Sequence, residues 1–327
     1  MNKPYYNNLN LLRGIAALMV CLYHFTNYSG IHGSLFHKGA FIQEAGYFGY
    51  LGVFVFFVLS GFVIPVSLHN SGFKLKNFGG FLLKRYVRIE IPYLFSIALI
   101  LAVAFAFSIA NHTAFHVDAG RLASHLFYTV PFTGHEWYNE IYWTLAIEMQ
   151  FYILIALVFV FLNRNQVIAS LVLFLLLLPG LFLHDHRFIT FFLPFFVAGM
   201  ACYMHRLKNL HTLMFLAILS ASTGSAFYLF NWYEAVVIPM TIAAIVFMPA
   251  WENKKFRLGK ISYSLYLTHG VIGGNVIYFL ISPQTEPLVR ILILLAAIMA
   301  AIAFAVIFYW LIEKPSQQLS KKITGAK

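Results

Sequence analysis

Ten apolar stretches follow one another along this chain, separated by short polar runs. About 17–25 apolar residues are what an α-helix needs to cross a hydrocarbon core. The stretches are residues 9–27, 46–68, 88–110, 141–162, 166–183, 188–204, 211–230, 233–250, 261–281 and 288–312. Inside lipid, each segment must satisfy its own backbone, which makes the spans helical. Of the 327 residues, 61% are hydrophobic and only 10% charged. Soluble domains carry about 25% charged residues, and a soluble fold of this size has no way to hide so much apolar surface. The expectation is an all-α, polytopic integral membrane bundle of about ten transmembrane helices. No soluble block interrupts the series, so residues 1–327 are expected to form a single transmembrane domain.

The basic residues orient the bundle. Of 22 lysines and arginines, 17 fall on the side that carries the N-terminus. Four, Lys38, Arg121, Arg187 and Arg290, fall on the other, and Arg13 lies within the first span. Cytoplasmic loops collect Lys and Arg, so both termini are expected in the cytoplasm. The net charge of +11 is then loop charge and does not point to nucleic acid. The first span is not read as a cleaved signal peptide, because Arg13 breaks the basic-then-apolar order and no small-x-small site follows. Tyr5, Tyr6, Trp137, Tyr138, Trp232, Tyr233 and Trp310 lie near span ends, as interfacial anchors do. Cys21 and Cys202 are assigned to opposite halves of the membrane, too far apart for a disulfide.

The first span, LLRGIAALMVCLYHF at 11–25, carries Arg13 and His24. Ionisable residues inside a membrane helix are expensive and need a reason. At 100° per residue the two share one helix face, and at 1.5 Å per residue they stand roughly 16 Å apart. The orientation puts Arg13 near the inner surface and His24 toward the outer one. The fourth span runs the other way, so Trp143, Thr144 and Glu148 are expected in the outer half, level with His24. Leu145, Glu148 and Tyr152 share a face. Glu148 is the carboxylate well inside a span, and His24 is its natural partner. A carboxylate beside an imidazole fixes the tautomer and suits a general base. The structural alternative is a polar bridge between two helices.

FLLKRYVRIEIPY at 81–93 puts Arg85 and Arg88 one turn apart at an inner mouth, with Glu90 beside them. Arginine forks match phosphate oxygens, although an ordinary positive-inside loop looks the same. KISYSLYLTHG at 260–270 is unusually polar for a span, so part of it is expected to face a cavity or another helix. His269 there is a candidate second base or hydrogen-bond donor, or a satisfied structural histidine. The outer segment 111–140 is long enough to cap an outward cavity, or is a plain connector. His112 with His116, and His184-Asp185-His186, lack further ligands at a convincing spacing, so no metal is expected. Gly46, Gly49, Gly52, Ser60 and Gly61 are expected to permit close helix packing. Glu313-Lys314-Pro315 is expected to end the last helix. No Walker, GxGxxG or GxSxG element is present.

Taken together these pieces resemble the acyltransferase-3 family of bacterial polytopic membrane O-acyltransferases. The matching segments are Arg13 and His24 in an arginine-x10-histidine pattern, GVFVFFVLSGFVI at 52–64, KRYVRIEIPY, YWTLAIEMQFY at 142–152, SYSLYLTH at 262–269 and IEKP at 312–315. They keep the family's order across nearly the whole chain. Thr144 stands where serine is common, and Thr268 where an aromatic residue often precedes the histidine. No soluble extension follows the last helix, as in the stand-alone form.

The resemblance implies an enzyme of the plasma (inner) membrane that transfers acyl groups other than amino-acyl groups. It implies transfer of an acyl group, commonly acetyl, from an acyl-CoA donor substrate to a hydroxyl of a cell-surface or secreted carbohydrate, with no separate cofactor. The anionic end of such a donor suits Arg85 and Arg88, and its arm would pass Arg13 toward His24. His24, held by Glu148, is the candidate general base or acyl carrier. Thr144, Tyr152 and His269 are candidate oxyanion donors, and Trp143 lies beside them. The alternative class is a proton-coupled transporter or exporter of a glycan or lipid-linked intermediate. It uses similar intramembrane residues, but no two-fold repeat is visible.

Overall fold

The computed structural model describes residues 3–208, 210–248 and 258–323, with side chains from residue 8 onward. The basic stretch 251–257, Lys327 and the side chains of Lys3, Tyr5 and Tyr6, all used in the sequence reading, lie outside the described residues.

The chain starts with α1 (Lys3–Thr26) and a two-stranded hairpin, β1 (Ser29–Gly30) with β2 (Gly33–Ser34). Short α2 (Phe41–Tyr47) leads into α3 (Gly52–Asn70) and then the long α4 (Phe78–Ala110). The segment 111–142 folds into α5 (Ala119–Leu126), α6 (Val130–Thr133) and a short 3-10 turn. Then follow α7 (Trp143–Leu162), α8 (Gln166–Phe182), α9 (Ile189–Lys208), α10 (Thr212–Leu229) and α11 (Trp232–Phe247). After them come α12 (Leu258–Leu280), α13 (Pro287–Phe308) and α14 (Lys314–Lys322).

All ten expected spans are helices, and the protein is a multi-pass membrane helical bundle. Seven described helical segments are long and apolar enough to cross a membrane. α8 and α11 are apolar but shorter, at 17 and 16 residues. α12 has the length, at 23 residues, but its first turns are polar. Those polar groups face inward: Ser262, Ser264, Thr268 and His269 are all buried.

Local signals fix the helix starts. Asn165 accepts from the Ile168 N–H at the start of α8. Asn231 and Glu234 form a capping box at the start of α11, which satisfies two backbone donors at once. The last helix departs from expectation. Glu313-Lys314-Pro315 does not end it. The chain passes through a π-helical turn at Tyr309–Glu313 and continues as α14, with Pro315 in the first turn. Proline is tolerated there because a first-turn N–H has no intrahelical partner to lose.

Two packed cores hold the bundle. The larger is built from α3, α4 and α7 to α11 and contains Cys202. The smaller joins α1, α12 and α13 and contains Cys21. Both cysteines are free and buried. α1 packs on α12 along one side and on α3 along the other, so it forms the seam between the cores. Glycines bring the backbones together at the crossings. A Cβ on Gly61 of α3 would lie 2.2 Å from the Phe196 carbonyl oxygen of α9, and one on Gly199 of α9 would lie 2.2 Å from that of Val58. Among the glycines of the sequence reading, Gly49 and Gly52 similarly abut carbonyls of α1.

Candidate active site at the α1 seam

Two cavities open along α1, one at the level of Arg13 and one at the level of His24. The Arg13 cavity has a volume of about 120 Å³. Arg13 from α1, Arg85 and Arg88 from α4, Glu148 and Tyr152 from α7, Ser262 and Tyr263 from α12, and Glu313 line it. Tyr152 donates to Glu148 Oε1 at 2.5 Å, one turn back on the same helix. Arg85 donates to Ser67 Oγ at 3.0 Å and lies over the Tyr152 ring at 5.6 Å. The π turn sets Glu313 against the start of α12, where it accepts from the Ser264 N–H at 3.1 Å and hydroxyl at 2.5 Å. Gln317 donates to its other oxygen at 2.8 Å.

The charge balance of this cavity is informative. Three guanidinium groups face two carboxylates, leaving one positive charge in excess when both carboxylates are ionised. Among the described residues no Arg–carboxylate ion pair closes within 4.0 Å here, and Arg13 Nε is buried without a hydrogen-bond partner. Buried donors are normally bonded. The arrangement is cationic and suits an anionic or strongly accepting ligand group.

The His24 cavity is larger, about 390 Å³. His24 and Tyr23 of α1, Tyr47 and Tyr50, Glu140 and Trp143, and Asn231, Tyr233 and Glu234 of α11 line it. Val53 and Tyr266 line both cavities, so the two adjoin across those side chains. The Tyr266 hydroxyl is held by the Ile141 carbonyl at 3.0 Å and by Thr144 Oγ1 at 2.7 Å. His269 sits behind His24, with ring centroids 5.2 Å apart. His269 Nδ1 lies 2.7 Å from the Tyr266 carbonyl and 3.1 Å from that of Leu265. Only a protonated Nδ1 can bond carbonyls, so the lone pair of a neutral His269 sits on Nε2, which is buried and unpartnered.

The expected pairing of His24 with Glu148 is not formed. Glu148 belongs to the Arg13 cavity, and the carboxylates beside His24 are Glu140 and Glu234. The reason is depth. α7 starts at Trp143, which is itself level with the His24 cavity. Glu148 is then about 7.5 Å further along the axis. Glu148 is also not the lone carboxylate within the spans: it is half-buried, and Glu90, Glu234 and Glu313 are buried. Glu90 does not join the arginines. It is buried, with Tyr128 and Tyr93 nearby.

The remaining sequence candidates separate cleanly. Arg13, Arg85, Arg88, Thr144 and Tyr152 line one cavity, His24 and Trp143 the other, and His269 packs against His24. Glu313 and Glu140 were missed. Glu313 sat inside a motif read as a helix stop, and Glu140 precedes the apolar run and looks like loop. Glu234 carried an Asn-x-x-Glu capping signal, which says nothing of a cavity. Residues 111–120 are exposed, and the later part of the segment packs around His125, which is bonded to Tyr93 Oη at 2.6 Å and accepts from the Tyr138 N–H at 3.3 Å. The His184-Asp185-His186 run has local partners: Arg187 binds Asp185 at 2.7 Å and His186 packs on Phe191. Among the described residues no three His, Cys, Asp or Glu side chains converge as a metal site.

Residues 6–310 match a family described as an acyltransferase domain. The chain belongs to the acyltransferase-3 family. No curated protein and no solved structure matched the chain. In this acyltransferase-3 protein one cavity holds the three arginines, and the other holds His24 with His269 behind it. An acyl donor and a nucleophile must meet, and a basic group must be near the nucleophile. The acyltransferase-3 match covers both the arginine cluster and the histidine pair, and Glu313 lies three residues beyond its end.

Proposed function

We propose that the protein moves an acetyl or other short acyl group from an acyl-CoA thioester to a carbohydrate hydroxyl. The observation that carries this is the pair of adjoining cavities, one cationic and one holding His24, which share Val53 and Tyr266 as lining. The donor's anionic end meets Arg13, Arg85 and Arg88, and the narrow cavity suits its arm. The acceptor hydroxyl enters beside His24. The positive loops place the arginine side toward the cytoplasm, where CoA thioesters are made, and the His24 side toward the exterior. The protein then works in the plasma membrane on material of the cell envelope.

His24 takes the proton of the acceptor hydroxyl as its oxygen attacks the thioester carbonyl. The C–S bond breaks, the sulfur leaves as CoA thiolate, and the proton passes from His24 to that thiolate to give the free thiol. A two-step variant, with the acyl group first on His24, uses the same residues. Glu148 takes a different role from a partner of His24: it fixes Tyr152 and balances charge among the arginines. Thr144, held with Tyr266 between the cavities, is the nearest candidate to support the developing oxyanion.

The test is acyl transfer by purified protein in liposomes, with labelled acetyl-CoA and a carbohydrate acceptor. His24→Ala should remove transfer at equal protein level. Wild-type activity in His24→Ala overturns the assignment.

A further inference from the structure

The two cavities carry opposite charge. Three arginines line one; no lysine or arginine lines the other, which has Glu140 and Glu234 instead. The two carboxylates differ in what they do. Both oxygens of Glu234 are committed: one accepts from the Tyr50 hydroxyl, the other from the Asn231 N–H at 3.1 Å. Glu234 therefore fixes Tyr50 and the start of α11. Glu140 is exposed to the cavity and has no hydrogen-bond or ion-pair partner among the described residues. Its charge is available to whatever enters.

The walls are aromatic. Tyr23, Tyr47 and Tyr50 form a closed triangle, with ring centroids 6.0, 5.7 and 5.5 Å apart. Trp143, Tyr233, Phe54 and Tyr266 add further aromatic lining. Aromatic faces pack against the C–H faces of a ring, while tyrosine hydroxyls and a free carboxylate bond its hydroxyl groups. A volume of about 390 Å³ lies within the range of small-molecule sites.

We propose that the His24 cavity is an acceptor subsite for an uncharged or amine-bearing sugar ring, and that Glu140 makes it reject acidic sugars. The proposal rests on the reading of the His24 side as the acceptor side. Glu140 binds a hydroxyl or ammonium group of the sugar, and repels a carboxylate. The same field keeps the anionic donor on the arginine side, so each substrate is steered to its own cavity.

Saturation-transfer NMR on the whole protein in detergent tests this with three probes: methyl glucoside, methyl glucosaminide and methyl glucuronide. The wild type should bind the first two about tenfold more tightly than the glucuronide, as like-charge exclusion requires. Glu140→Gln should narrow that ratio and Glu140→Lys should reverse it. Equal binding of all three probes, binding of none, or a ratio that neither Glu140 substitution moves overturns the subsite. The expected pattern without acyl transfer to the bound sugar upholds the subsite and overturns the acyl-transfer reading.

Discussion

The rings of His24 and His269 lie 5.2 Å apart, and His269 turns a buried, unpartnered Nε2 lone pair to this part of the bundle while its Nδ1–H is spent on two carbonyls. A buried acceptor left without a donor costs on the order of 1–3 kcal/mol. In the structure His24 makes no bond to it. Once His24 takes a proton, both its ring nitrogens become donors, and a neighbouring lone pair stabilises that cation.

His269→Phe keeps an aromatic ring and removes the lone pair. A hydrogen bond to a charged group contributes about 1.5–3 kcal/mol, so kcat should fall roughly 10- to 100-fold. The donor KM should stay within about twofold if the donor uses the arginine cavity, as proposed. Steady-state kinetics with acetyl-CoA as the varied substrate separates the two. A raised donor KM with unchanged kcat would remove His269 from the chemical step.

The arginine cluster should show the opposite signature. Arg13→Ala and Arg88→Ala each delete a cation from the cavity with excess positive charge. Charge-assisted hydrogen bonds to an anion are among the stronger ones, so the donor KM should rise about 10-fold or more in each, with acceptor KM little changed. Arg85→Lys should behave almost like Arg85→Ala. Lysine cannot both donate to Ser67 and sit over the Tyr152 ring as Arg85 does, and a compact ammonium does not replace a planar fork. Kinetics with CoA and dephospho-CoA donors would show which arginines read the phosphates.

The ten helices were legible in the sequence because hydrophobic length is a local property. Arg13 and His24 were legible as a pair because one helix fixes their spacing. The error at Glu148 came from assuming that adjacent spans start at one depth. α7 starts level with the interior of the His24 cavity, and nothing local in YWTLAIEMQFY records that offset. Glu140 and Glu313 were hidden for a related reason. Each lies at a helix end where sequence supplies a boundary signal, and only tertiary packing turns that end into a cavity wall. The polar start of α12 was a better guide: burying Ser262, Ser264 and Thr268 demanded an interior partner, and the π turn supplied Glu313.

The close α3–α9 crossing gives a prediction that does not depend on activity. Alanine at Gly199 would set its Cβ 2.2 Å from the Val58 carbonyl oxygen, whereas Gly224 in α10 has nothing within 4 Å. Overpacking a tight contact costs roughly 1–3 kcal/mol. Alanine replaces glycine in a helix with a gain of about 0.5–1 kcal/mol when space is free. Thermal unfolding in detergent should therefore show Gly199→Ala lowered in Tm and Gly224→Ala unchanged or raised. Equal Tm values for the two variants would contradict the packing.

Segment 111–142 should respond to acid through His125. Burial holds this histidine down to about 4, from an ordinary value of 6.5. Between those values the unfolded chain takes up a proton that the folded one refuses, so stability falls as pH drops through the window from about 6.5 to 4. It is undiminished above 6.5, and this group adds no further slope below 4. Asp118 acts in a lower range. Backbone N–H groups of Arg121 and Gly120 hold its carboxyl below the usual 3.8, so its contribution is lost only as pH falls through that lowered value. Tm followed from pH 7 to 4.5 should decline in the wild type. In His125→Asn, which does not titrate here, the decline should be shallower. Parallel curves for the two proteins would take His125 out of the acid response.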